Sequence, residues 1–183
     1  LGKFLAELHS IPFDRLAALE TRPSLSSRAE HESIREETSQ IVAAQLNVDE
    51  FNNLDSWWDQ LLSDSHMQDF PVSMTHQDMW SDNLLVDGDP LALLAVIDWE
   101  YARFGDPAVD FVGLSYLGDD FVRQVMIEYQ NHGGSVDDGF DRRFTNHRVI
   151  REYGGIRYSI RHNDKVELVD SIRKLRSTGV TRG

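Results

Sequence analysis

His76-Gln77-Asp78-Met79-Trp80-Ser81-Asp82-Asn83 opens the stretch that decides this fold; it is followed by Leu84-Leu85-Val86, Asp87-Gly88-Asp89-Pro90, an apolar run from Leu91 to Ile97, and Asp98-Trp99-Glu100. Helical periodicity is lost after Pro71. Val72-Ser73-Met74-Thr75, Leu84 to Val86 and Leu91 to Ile97 read as three short strands, with residues that favour tight turns between the last two. In that arrangement Asp78 follows the end of one strand, while a hairpin fixes Asn83 and Asp98 at its two ends. A small β element carries the charged motif.

Outward from this core the pattern is helical. Phe4, Leu5 and Leu8 share one face of a helix over Leu1 to Ser10, which Pro12 prevents from continuing. A short helix is expected over Phe13 to Leu19 and a loop over Thr21 to Ser27. Ser27 with Glu30 fits a capping box for a polar helix from Ala29 to Leu46, with Ile34, Ile41 and Val42 inward. Asp49 can cap a helix in which Phe51, Leu54, Trp57, Trp58 and Leu61 form one buried stripe. On the other side, Pro107 suits a first helical turn, Ala108 to Leu117 reads as one helix, and Asp119 to Asn131 as another that ends at Gly133-Gly134. Gly139 to Ile160, with a break at Gly154-Gly155, and Asp164 to Arg176 complete the helices. The expected fold class is mainly α within α+β: one domain with helices over 1–70, a catalytic and metal-binding core over 71–117 and C-terminal helices over 118–183.

A chain of 183 residues with 40% hydrophobic and 10% aromatic residues can bury a substantial core. No apolar run approaches the roughly 20 residues that span a bilayer, so no membrane association is expected. The absence of cysteine removes disulfides and thiolate metal sites and is compatible with a cytoplasmic enzyme. A formal net charge of −13 opposes binding to nucleic acid and suits a cationic substrate, although the same charge also serves solubility alone. The chain opens at Leu1 with a helix already under way, which reads as a cut or processed fragment.

Asp78 stands five residues before Asn83, and Asp98 fifteen residues after it. This is the spacing with which kinase-type loops assemble a base and two magnesium ligands. Asp78 can accept the proton of a substrate hydroxyl and aim its oxygen at the γ-phosphorus. Asn83 offers a carbonyl oxygen and Asp98 a hard carboxylate, donors suited to Mg2+ held against nucleotide phosphates. Taken singly, Asp78 could be a turn former. His76 reads as an internal hydrogen-bonding brace rather than an acid or a ligand, Asp82 as solvated, and Trp80 as packing the loop. Glu100 could contact a cationic acceptor, contribute a carboxylate near a metal, or form a structural salt bridge. Acidic positions between Glu30 and Asp64 fit either an anionic cleft or a solvated helix face.

Thr75 to Leu114, with His76-Gln77-Asp78, Asn83-Leu84-Leu85-Val86, Ile97-Asp98-Trp99-Glu100 and Gly105-Asp106-Pro107-Ala108-Val109-Asp110-Phe111, resembles the C-terminal lobe of the aminoglycoside phosphotransferase family, relatives of choline kinase and protein kinases. The resemblance implies a kinase-like fold, ATP as cosubstrate and Mg2+ as cofactor. It makes Asp78 the catalytic base, Asn83 and Asp98 the metal ligands, and Asp106 and Asp110 structural supports. Family members commonly have glycine where Gln77 stands, and glutamine fits unless that backbone needs a positive φ. No glycine-rich phosphate loop precedes the motif, and none of Lys3, Lys165 and Lys174 lies in a strand suited to ATP. An N-terminal ATP-binding lobe is therefore expected to be missing, and the fragment to turn over weakly or not at all. Acceptors across the family range from aminoglycosides and macrolides to choline, amino acids and sugars, so the acceptor stays open as a small hydroxyl compound, with a cationic one suited to the net charge. Two other classes remain: a noncatalytic kinase-like scaffold, and a metal-dependent phosphohydrolase that would use His76, Asp78 and Asp98 as direct ligands.

Overall fold

A computed structural model describes residues 1–16, 27–88 and 92–182. In chain order these form α1 (Gly2–His9), α2 (Phe13–Leu16), α3 (Ser27–Ala43), α4 (Val48–Ser63), β1 (Ser73–Thr75), β2 (Leu84–Val86), β3 (Leu93–Val96), β4 (Arg103–Gly105), α5 (Val109–Val112), α6 (Asp119–Asn131), α7 (Phe140–His162) and α8 (Lys165–Ser177). The chain divides into two compact units, Leu1–Ser24 with Phe70–Phe144, and Leu25–Asp69 with Thr145–Gly183. Residues 17–19 of the expected helix over Phe13 to Leu19, residues 21–26 of the expected loop over Thr21 to Ser27, and residues 89–90 of the expected turn over Asp87 to Pro90 lie outside the described residues.

In the first unit two small antiparallel pairs sit among helices. β1 pairs with β4, Met74 opposite Phe104, and β2 pairs with β3, Leu84 opposite Val96, with a bulge at Leu85 and Val86. Strand β4 is an addition to the sequence reading, because three residues are too few to show alternation. Beneath the strands Phe111 meets Tyr129 and Phe140 edge-on, at 5.2 and 5.4 Å between ring centres. Leu5 and Leu8 of α1 are buried in the same core. Helix α1 can approach α6 closely because Gly2 lacks a side chain; a Cβ there would lie 2.4 Å from the Val125 carbonyl oxygen.

Between Ala108 and Leu117 the expected single helix is instead one α turn, α5, passing into a 3-10 segment over Gly113–Leu117. Gly113 explains the interruption. Its backbone lies so close to the loop after Asp78 that a Cβ would sit 2.2 Å from the Met79 oxygen, and the tighter winding accommodates that contact.

The second unit is helical throughout its described residues. Asn47, not Asp49, caps α4: its side chain accepts the Glu50 N–H, and the Glu50 carboxylate accepts the Asn47 N–H, a reciprocal capping box. Leu54, Trp58 and Leu61 form the buried stripe, and Phe51 and Trp57 lie half-buried beside it. Each buried leucine contributes about 1.5–3 kcal/mol. The indole N–H of Trp58 donates to the Tyr153 hydroxyl at 2.8 Å, so this large ring brings no unpaired polar atom into the core. Helix α7 runs unbroken through Gly154 and Gly155. Gly155 serves packing instead: a Cβ would fall 2.1 Å from Ser171 Oγ of α8.

Candidate active site

The loop after β1 is held by one buried carboxylate. Asp110, in the first turn of α5 and fully buried, accepts the His76 N–H on Oδ2 at 2.9 Å and the Gln77 N–H on Oδ1 at 2.8 Å. Gln77 adopts φ +72°, a left-handed conformation that glycine would adopt freely. Its side chain offsets part of the strain by donating from Nε2 to Thr75 Oγ1 at 2.6 Å. This abrupt turn sets the direction of the half-buried Asp78 that follows.

His76 is fully buried, and its ring nitrogens have separate partners. Nε2 lies 2.9 Å from the Ile97 carbonyl oxygen, which can only accept, and Nδ1 accepts the Asp78 N–H at 3.3 Å. Only the neutral ring with the hydrogen on Nε2 satisfies both bonds. The imidazole thus ties the Asp78 backbone to the far end of the hairpin, and Trp99 packs edge-on against it at 4.6 Å.

Asn83 and Asp98 flank the open end of that hairpin, one before β2 and one after β3. The Ile97 N–H donates to the Asn83 carbonyl at 3.0 Å, which places Asp98 one residue beyond a paired position. Asn83 Nδ2 donates to the Asp78 backbone oxygen at 2.8 Å and to Asp78 Oδ2 at 3.1 Å. With its amide nitrogen so committed, Oδ1 is the atom Asn83 could offer a cation. Asp98 is exposed and has φ +64°, a conformation aspartate tolerates better than most residues. Ile97 and the Trp99 indole, which donates to the Val96 oxygen at 2.9 Å, anchor the backbone on either side of it. Among the described residues no group of three His, Cys, Asp or Glu side chains is arranged to hold a metal. Two hard oxygen donors nevertheless fit Mg2+, which commonly takes one or two protein ligands and completes its shell with phosphates and water.

Asp106 lies deeper. Its Oδ1 accepts the Ala108 N–H at 3.0 Å, and its Oδ2 accepts Nε of Arg143 at 2.9 Å. Arg143, fully buried, also donates both terminal nitrogens to Asp137 at 2.7 Å each. These hydrogen bonds hold the Asp137 carboxyl down to about 2. Glu100 is exposed in the turn after Trp99. Sequence reasoning missed Arg143, Asp137 and His9, which reaches Asp110 from α1; each stands in a helix or loop with no motif around it.

Residues 1–153 match the model of the phosphotransferase enzyme family, APH. No curated protein matches. Among solved structures, the GDP and kanamycin complex of APH(2")-IIia is similar at 20% identity and a TM-score of 0.85, covering 100% of this chain and 61% of that one. The GDP complex of wild-type aminoglycoside 2'-phosphotransferase-IIIa follows at 20% identity and 0.81, covering 97% and 59%. Macrolide 2'-phosphotransferase type I is similar at 18% identity and 0.77, covering 95% and 56%. The chain thus spans less than two thirds of the length of these structures. The likeness shows the fold, a kinase-like C-terminal lobe that is mostly helical with small antiparallel strand pairs. With the match over residues 1–153, it establishes that this chain belongs to the phosphotransferase enzyme family.

Proposed function

We propose that this chain is the catalytic-loop portion of an ATP-dependent phosphotransferase that moves a γ-phosphate to the hydroxyl of a small molecule. Asp78 is the base, and Asn83 and Asp98 would hold Mg2+. The observation that carries the reading is the hydrogen bond from Asn83 to Asp78 at 3.1 Å, made from one end of the hairpin whose other end presents Asp98. Asp78 orients the acceptor hydroxyl and takes its proton. Asn83 restrains the Asp78 carboxylate while keeping its own oxygen available. Bound magnesium would neutralise charge on the transferring phosphate. The remaining portion of a protein of family length would supply the nucleotide grip, so turnover by this chain alone is expected to be weak or absent.

The acceptor belongs to the same proposal. Similar structures are named for aminoglycosides and macrolides. A net charge of −13 favours attraction of a cationic acceptor, for which exposed Glu100 is a candidate contact.

The test is magnesium-dependent ATP turnover by the full-length protein with a panel of hydroxyl acceptors, beside Asp78→Ala and the 183-residue chain. Acceptor-dependent ADP release should fall by about 10²–10⁴-fold in Asp78→Ala. Absence of turnover with every acceptor, together with absence of magnesium-dependent nucleotide binding, would replace this reading with a noncatalytic scaffold.

A further inference from the structure

His9 lies in the last turn of α1, 101 residues before Asp110, yet its Nε2 is 3.1 Å from Asp110 Oδ2. Both side chains are withdrawn from water, at 3% and 0% exposure. The other ring nitrogen, Nδ1, is 3.0 Å from the Tyr129 hydroxyl of α6. The ring also packs edge-on against Tyr129 at 5.4 Å. A carboxylate only accepts, so Nε2 carries the hydrogen in this contact. The Tyr129 hydroxyl also lies 3.4 Å from the Ser135 carbonyl oxygen, so it ties the far side of the imidazole to the segment after α6.

Asp110 therefore gathers three N–H groups from distant parts of the chain: the backbones of His76 and Gln77, and the imidazole of His9. Two of them hold Gln77 in its left-handed turn. Such a conformation persists only where its surroundings over-determine it, and relaxation of Gln77 would redirect the next residue, Asp78. We infer that His9 is a positioning residue for the candidate base: by holding Asp110 from behind, it fixes the orientation in which the two carboxylate oxygens grip the loop. The consequence for turnover rests on the proposed phosphotransfer reading; the consequence for the loop does not.

Two variants test it. His9→Phe keeps an aromatic ring but removes both nitrogens, and His9→Gln restores an N–H able to reach Asp110. In the full-length protein, His9→Phe should lower kcat by roughly 10- to 100-fold, with KM for nucleotide and acceptor within about twofold, because misplacement of a catalytic group acts on the chemical step. His9→Gln should recover a large part of that loss. Unchanged kcat, a loss carried by KM alone, or equal loss in both variants would overturn the inference.

If the wild-type protein phosphorylates no acceptor, the proposed function fails and backbone amide exchange decides this point in the 183-residue chain. The amides of His76 and Gln77 should then exchange at least about tenfold faster in His9→Phe, while those of α8 keep their wild-type rates. Unaltered exchange at His76 and Gln77, or equal acceleration in both regions, would refute local positioning.

Discussion

At the scale of single residues, Gln77 shows how a glutamine can occupy a position whose φ favours glycine. A left-handed conformation costs a non-glycine residue roughly 1–2 kcal/mol. Against this stand the Gln77 hydrogen bond to Thr75, worth about 0.5–1.5 kcal/mol net, and the greater unfolded-state freedom of glycine, worth about 0.5–1 kcal/mol. These contributions nearly cancel, so Gln77→Gly should change stability by less than about 1 kcal/mol. Gln77→Val loses the hydrogen bond and puts a β-branched side chain at φ +72°; it should destabilise by about 2 kcal/mol or more. Urea unfolding of the two variants should separate them clearly. Equal midpoints would show that the turn relaxes without cost.

At the scale of elements, the β4–α5 link is pinned to the start of α7 by Asp106, Arg143 and Asp137. Arg143→Ala should cost about 3–5 kcal/mol, because it leaves Asp106 buried without its cation. The Asp137 carboxyl titrates at about 2 when folded, below its ordinary value of 3.8. Its contribution is therefore complete above about pH 4 and is lost as pH falls toward 2. Urea midpoints taken between pH 5 and pH 2 should fall less steeply in Asp137→Asn than in the wild type; parallel curves would remove this pair from the acid response. The resemblance had implied a structural role for Asp106, but neither Arg143 nor Asp137 was legible as its partner, since a charged residue in a polar helix turn or loop carries no periodic signal. Strands β2 and β3 were legible because their flanks hold turn residues, and the Asp78, Asn83, Asp98 spacing was legible because a hairpin makes it a geometric necessity. Asn47 could have been found, since Glu50 stands three positions after it, the spacing of a capping box. The 3-10 turn after α5 could not, because it answers to the Met79 oxygen, which comes close only once the chain has folded.

At the scale of the whole molecule, no helix among the described residues is long and apolar enough to cross a membrane. Each compact unit is assembled from two separated stretches of chain, 1–24 with 70–144 and 25–69 with 145–183. Removing residues 164–183 should therefore strip Ile172 and Leu175 from the core around Trp58, while the core around Phe111 persists. Amide exchange of the truncated chain should show α4 unprotected and α6 still protected; protection of α4 would show that its unit closes without α8. The interleaving also sets a timetable during synthesis. Helix α4 leaves the ribosome with its tryptophans uncovered and waits for roughly a hundred further residues before α7 and α8 arrive, which at about 5–20 residues per second is an interval of seconds. For that interval the nascent chain presents a sticky helix face, and its yield in a cell should depend on chaperones more than its finished stability would suggest.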